Sequence, residues 1–374
     1  IDSVGLITAR SGLEIGLAGV GGTVSSVGII TAPHIKTGGS LNNTGLGGNV
    51  LAANTTGAQN TAVGHEALND NTTGANNTAV GQAALDVNTT GSRNIAIGRD
   101  SLGALTTASD NTAVGTYTLT ANTNVGEHTA VGSYALQVCS TGQQNTALGF
   151  KAAQDLTTGD YTVAIGNHAG TDITTGDGNT FIGHDSGKAC TVSSHNVAVG
   201  RNTLSVGTDG IQQNVAIGYA ALYNNANGDY NVAVGSHALN AITSGGYNVA
   251  LGYNAAVALT TGAYNIAIGH NALDAQTTGS DNVAIGRGAL SLNTTGSSQV
   301  AVGSHALDAN TTGSSNTAVG HSALGSNTTG EYNTALGVSA LFDATTASHN
   351  TAIGYEAAAN VTTGSNNVVL GNAA

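Results

Sequence analysis

The stretch Asn60-Thr61-Ala62-Val63-Gly64 returns as Asn77-Thr78-Ala79-Val80-Gly81, then as Asn94-Ile95-Ala96-Ile97-Gly98 and Asn111-Thr112-Ala113-Val114-Gly115, and far along the chain as Asn231-Val232-Ala233-Val234-Gly235. Closing glycines are 17 residues apart, and the spacing holds from Gly47 to Gly371 with one step of 18, Gly200 to Gly218. Independent modules on linkers would drift out of phase, whereas units stacked directly on one another cannot. The runs between glycines are short and β-branched, and no apolar stripe of 3.6-residue period is long enough for a helix. Each unit therefore reads as one coil of a parallel β-solenoid, or β-roll. The expected fold is all-β, with two short strands per coil and about twenty coils over residues 41–374.

Working outward from the motif, the two residues beside the central alanine share one face of a strand. They are Thr, Val, Ile or Leu, as in Thr61 and Val63, and are expected to point into the coil. The central position is almost always alanine (Ala62, Ala79, Ala96, Ala216, Ala233, Ala284), which suggests close packing against something outside a thin coil. The expectation is a second subunit. After the closing glycine (Gly64, Gly81, Gly235), a second strand ending in Ala67-Leu68, Ala238-Leu239 or Ala306-Leu307 is expected to place leucine inside. A turn such as Asn71 to Gly74 follows, and a glycine seven residues before the next closing glycine recurs in fourteen of nineteen coils. Two glycine corners per coil imply a flattened, two-sided coil with positive φ at both bends.

Asparagine opens seventeen of twenty motifs, among them Asn60, Asn77, Asn145, Asn231 and Asn350. Its amide can donate and accept from coil to coil along the rod. Equally, it can serve only a turn conformation. Cys139 and Cys190 hold equivalent positions three coils apart, roughly 14 Å, so they are expected to be free, buried thiols.

The 374 residues include 55 Gly, one Pro, three Phe, no Met and no Trp, and only 8% are charged. A wide conventional core is excluded, and the interior must be narrow and filled with small aliphatic side chains. A net charge of −13, thinly spread, argues against nucleic-acid binding, and no apolar run is long enough for membrane insertion as a helix. Residues 1–40 lack the motif but contain Val4 to Ala9 and Val27 to Ala32, which read as a β-rich leader or junction.

The motif, seen again as Asn196-Val197-Ala198-Val199-Gly200 and Asn214-Val215-Ala216-Ile217-Gly218, resembles the head repeat of YadA-like trimeric autotransporter adhesins. That resemblance covers residues 43–374 and implies a left-handed parallel β-roll, three chains side by side and contact with host surface components. The unit here is longer than is usual for those heads and keeps the added Asn-Thr-Thr-Gly turn. The leader segments joined to this repeat look like tail-fibre and other structural proteins of phages that infect marine cyanobacteria. This second resemblance implies a virion tail fibre, joined at its N-terminal end to other fibre or virion proteins and engaging a host surface glycan or protein. The alternatives are a bacterial surface adhesin or filament subunit and, from another class, a polysaccharide-degrading tailspike.

Candidate chemistry is sparse. Histidines that follow the closing glycine (His65, His184, His237, His270, His305, His321) are scattered over different coils and read as surface residues, so no metal site or cofactor is expected. Asp155 with Asp172, and Asp343 with Glu356, could approach each other across coils, but no long loop breaks the phase to build a cleft, and no catalytic residue is assigned. The best candidate contact surface is aromatic. Tyr230, Tyr247 and Tyr264 recur at one coil position, as do Tyr117 and Tyr134. Such ladders suit stacking against sugar rings, and they equally suit pairing between neighbouring strands.

Overall fold

The computed structural model describes residues 41–206 and 210–373; the leader expected over residues 1–40 lies outside them. Twenty three-residue strands run from β1 (Thr44–Leu46), β2 (Thr61–Val63), β3 (Thr78–Val80) and β4 (Ile95–Ile97) to β20 (Val368–Leu370). Each pairs in parallel with the next at one fixed register, Ala62 opposite Ala79 and Ala79 opposite Ala96. The inserted residue does not break the ladder: Ala198 of β10 (Val197–Val199) faces Ala216 of β11 (Val215–Ile217), and Ala216 in turn faces Ala233 of β12 (Val232–Val234). The result is a parallel β-solenoid in which 17 residues advance the chain by one strand spacing. Nineteen spacings of about 4.8 Å make its sheet about 90 Å long.

Two expectations about the coil are overturned. The central alanines face inward: Ala62, Ala79, Ala96, Ala216, Ala233 and Ala284 are all fully buried. Their neighbours, including Thr61 and Val63, point outward and are half-buried or exposed. Coil thickness is the cause. Leu68, Leu85 and Leu102 fill the interior from the opposite side, as expected, and only a methyl group fits between them and the sheet. The alanine column therefore cannot touch another subunit.

One coil demonstrates the packing by breaking it. In β9 (Thr180–Ile182) the central residue is Phe181, fully buried. At the leucine position of that coil and of the one before stand Gly187 and Gly170. A Cβ on Gly170 would lie 2.8 Å from the Phe181 ring, and one on Gly187 only 2.3 Å from it. A large residue on one wall is balanced by none on the other, a volume-conserving exchange in a close-packed interior.

The other side of the coil, where a second strand is expected, holds none among the described residues; it is a run of turns. It is nevertheless bonded from coil to coil, because residues in the left-handed region aim their amides along the rod. Glu66 (φ 60) donates to Gly48 O at 2.9 Å and Leu68 (φ 50) to Ala84 O at 3.0 Å. Left-handed backbone is unfavourable for residues with a Cβ, and these regular hydrogen bonds offset it.

The two glycine corners are not alike, which corrects the expectation of positive φ at both. The closing glycine does adopt it, +131° at Gly64, +140° at Gly81 and +136° at Gly235. Close stacking demands glycine there a second time, since a Cβ on Gly235 would lie 2.3 Å from Gly252 O in the next coil. The turn glycine, Gly57 or Gly74, does not have positive φ. A Cβ there would instead collide with the carbonyl of the equivalent residue in the next coil and with the turn asparagine of its own coil.

Candidate binding surface

Register alone builds the aromatic ladders. Tyr230, Tyr247 and Tyr264 occupy the left-handed corner just before the buried asparagine, one coil apart. Their rings stack at 4.8 and 5.1 Å with interplanar angles of 9° and 7°, the spacing of the strands themselves. All three are exposed. Because each ring covers the face of the next, the column offers solvent its edges, its hydroxyls and the two terminal faces. Tyr117 and Tyr134, in a different column beyond the closing glycine, stack at 5.5 Å. They begin a longer series that continues edge to face through Phe150, His168 and His184, with the Arg99 guanidinium over Tyr117 at 5.1 Å.

A further ladder, Tyr219, His237, Tyr253 and His270, is absent from the sequence reading. Tyr219, Tyr253 and His270 come first after their closing glycines, and His237 comes second after Gly235. A search in strict 17-residue phase finds only the Tyr253 and His270 step, whereas a search allowing either corner position finds the whole ladder.

The lead asparagines form a buried ladder. Asn60 Oδ1 accepts from the backbone amide of Asn77 at 2.9 Å, and Asn60 Nδ2 donates to Gly74 O at 2.8 Å. Asn231 does the same in its coil, accepting from the Asn248 amide at 3.0 Å and donating to Gly245 O at 2.9 Å. Both readings of this residue hold, since the amide bonds along the rod and satisfies a turn carbonyl. In one coil the position is His128, buried, whose Nδ1 accepts from the Asn145 amide at 3.2 Å. That bond requires the proton on Nε2, and burial holds the imidazole pKa below its ordinary value. Cys139 Sγ lies 4.0 Å from Nε2. Both cysteines are free and buried as expected, and burial pushes the thiols up to about 11 at Cys139 and about 12 at Cys190, so neither is a thiolate at neutral pH.

Of the histidines expected at the surface, His65, His184, His270 and His321 are exposed and His237 and His305 half-buried. His184, however, converges with His168 and Asp185 from the neighbouring corner positions. Asp155 has its carboxyl pKa raised, first by partial burial and then by the Asp172 charge. Asp343 and Glu356 line one open hollow with Ser339 and Phe342.

The outward columns of the sheet are the largest apolar feature. Ile95, Ile97, Leu148, Ile217, Ile285, Leu336 and Ile353 are all exposed, between 36% and 47%. All but Ile95 belong to the third-position column, which is Val, Ile or Leu in every strand from Leu46 to Leu370, while the first-position column beside it mixes Thr with Val and Ile. A continuous exposed aliphatic stripe of this kind marks an interaction surface. Comparison of the chain with known protein families and with curated proteins finds no match.

Proposed function

We propose that this chain is a structural, receptor-engaging rod of a phage tail fibre, working as a homotrimer and not as an enzyme. The carrying observation is the pairing of an unbroken twenty-strand register with an exposed apolar ribbon along its length. The register gives a rod resistant to bending. The ribbon needs a cover as long and as regular as itself, and other copies of the same sheet supply one; the resemblance of the motif to trimeric adhesin heads implies three chains. Host contact then falls to residues outside the ribbon, of which the phenol edges and terminal rings of the Tyr230, Tyr247 and Tyr264 column are the best suited to glycans. Weak contacts repeated on three chains add through multivalency.

Sedimentation equilibrium tests the assembly: the expected mass is three times the 36.5 kDa of one chain, and a monomer at micromolar concentration overturns the reading. Replacing Ile266 and Ile268 together by Glu is expected to dissociate the trimer. Incubation with host polysaccharide is expected to release no oligosaccharides, and release would favour a degrading tailspike. Binding to immobilised host glycan is expected to fall when Tyr230, Tyr247 and Tyr264 are all replaced by Ser, and unchanged binding removes them as the contact.

A further inference from the structure

Among the described residues, one group of three side chains has the composition and convergence of a metal site: His168, His184 and Asp185. His168 follows β8 (Val163–Ile165) and the other two follow β9, so the group spans two successive coils. Asp185 lies directly over His168 in one column. Both residues are left-handed, at φ 55 and 54, and each donates its amide to the coil below, Asp185 to Asn167 O at 3.1 Å and His168 to Phe150 O at 3.0 Å. Their side chains therefore leave the backbone in parallel from rigid positions. His184 Nδ1 is 3.0 Å from Asp185 Oδ2, and His168 Nδ1 is 3.9 Å from Asp185 Oδ1. One donor atom from each of the three lies within 4.8 Å of the others. Tetrahedral ligands about 2.0–2.2 Å from zinc are about 3.3–3.6 Å apart; each imidazole lies within about 0.6 Å of that distance from one or other carboxylate oxygen, so small side-chain rotations bring one oxygen into reach of both.

The Asp185 carboxylate already draws a cation, the Lys188 ammonium, which a metal ion would displace. Asp185 Oδ1 is buried and makes no hydrogen bond, and the nearest positive charge, Lys188 Nζ, is 3.5 Å away. Edge-to-face packing against Phe150 at 5.5 Å holds the His168 ring. Two imidazoles and one carboxylate form a borderline nitrogen and oxygen donor set, suited to Zn²⁺ with water completing the shell and unsuited to calcium or magnesium.

The position in the fold supplies a reason for the site. These two coils are the pair that the asparagine ladder fails to join. Thr162 stands at the ladder position, its buried Oγ1 makes no hydrogen bond, and it offers the Asn179 amide no amide oxygen like the one that receives Asn77 from Asn60. Across the wall, Gly170 and Gly187 leave the leucine column empty for Phe181.

We infer that His168, His184 and Asp185 bind one Zn²⁺ per chain and that the ion staples the two coils across this defect. Titration calorimetry of the tag-free full chain with Zn²⁺ tests it. One ion per chain is expected. Removing a ligand by His184→Ala or Asp185→Asn should weaken binding at least as much as loss of an outer-shell partner does, about 10- to 100-fold. His321→Ala, on an isolated exposed histidine, should leave it unchanged, and Lys188→Ala should tighten it by removing the competing ammonium. In the unaltered chain Zn²⁺ should slow amide exchange at residues 163–187 and not in the distant coils around β17 (Thr317–Val319). No binding, an Asp185→Asn variant that binds as well as the parent, or an equal loss on His321→Ala would overturn the site and leave a plain ion-pair cluster with Lys188. The proposal stands apart from the trimer, because the readouts follow one chain and a monomer could pass them.

Discussion

The coils of β2 to β4 and those of β8 and β9 have the same backbone, yet at the interior positions the second pair keeps only Ala164, Ala169 and Asn179 of the regular side chains. In the first set the ladder, central and leucine columns are regular, Asn60, Asn77 and Asn94, Ala62, Ala79 and Ala96, and Leu68, Leu85 and Leu102, and the turn holds Asn71 and Asn88 before Leu105. In the second, Thr162 replaces the ladder asparagine, Phe181 the alanine, Gly170 and Gly187 the leucines, and Ile173 and Cys190 the turn asparagines. The register is nonetheless identical, Ala164 facing Phe181 and Phe181 facing Ala198. Main-chain hydrogen bonds thus set the coil, and the interior side chains are exchangeable to different degrees depending on whether they satisfy backbone groups or only occupy volume.

Volume should carry the largest effect. Phe181→Ala opens a cavity bounded by two glycines, and a cost of about 3–5 kcal/mol is expected in the unfolding free energy of the rod. Adding Gly170→Leu and Gly187→Leu to that variant should recover most of the loss, because leucines in this column already adopt φ near the +56° and +61° of the two glycines, as Leu68 does at 50°. The unfolding midpoint in guanidinium chloride checks both. If the triple variant is less stable than Phe181→Ala alone, the complementarity of the two walls is wrong.

Next come the two asparagine columns of the regular coils, which look alike in sequence and differ in what they hold. Asn77 is the sole acceptor for the buried Asn94 amide, at 2.9 Å, and donates to Gly91 O at 2.8 Å. Asn88, in the turn, donates to the same Gly91 O at 3.0 Å, and its own Oδ1 is buried without a partner where the turn ladder meets Leu105. The carbonyl thus keeps a donor when Asn88 is lost, as Ala108 O keeps Asn94 Nδ2 at 2.9 Å in the next coil. Asn77→Leu is expected to cost about 1–3 kcal/mol by orphaning the buried Asn94 amide, and Asn88→Leu less than about 1 kcal/mol, because it removes one unpartnered Oδ1 while freeing that of Asn71. Equal costs in the same denaturation assay would erase the distinction.

Much of this is legible in the sequence. The period, the single insertion, the buried free cysteines and the inward leucine all follow from phase and residue type. The direction of the sheet does not, because Val-Ala-Val is apolar on both faces and period-two reading cannot choose between them; width decides, and width is a tertiary quantity. A signal is present in the joint exchange of Phe181 with Gly170 and Gly187, which makes sense only if the central column faces the leucine column. Glycine at a bend suggests positive φ, and that holds for Gly64 and Gly235; the turn glycine answers instead to the carbonyl of the neighbouring coil. The His168, His184 and Asp185 group is hidden because its members sit at two corner positions in two coils. Counting along the chain separates what stacking brings together.

The defect itself can be repaired. Thr162→Asn should restore an acceptor for the Asn179 amide and a donor for Gly176 O, stabilising the rod by about 1–2 kcal/mol. Amide exchange at β8 and β9 should slow accordingly, and no change there would mean that the threonine rung is already satisfied.

The smallest effect expected is one of pH, at a second of the three irregular ladder rungs. His128 accepts from the Asn145 amide only while Nδ1 is unprotonated, and burial holds its pKa below that of the unfolded chain. Above the ordinary imidazole value both states are neutral and the residue contributes no pH dependence. As pH falls through the unfolded value the unfolded chain takes up the proton first, so the folded rod loses stability, and the loss levels off once the folded-state value is passed. The other described histidines are half-buried or exposed, and among them His168 also has its pKa lowered by burial. His128→Asn should therefore flatten part of the acid-side slope while restoring an amide rung with the bonding of Asn60. Melting curves of the two proteins between pH 5 and pH 8, run with chelator present so that no metal holds His168, should converge at the alkaline end only to the extent that a neutral imidazole serves the rung as well as asparagine does. A slope identical in both would show that the buried imidazole is not the group that titrates.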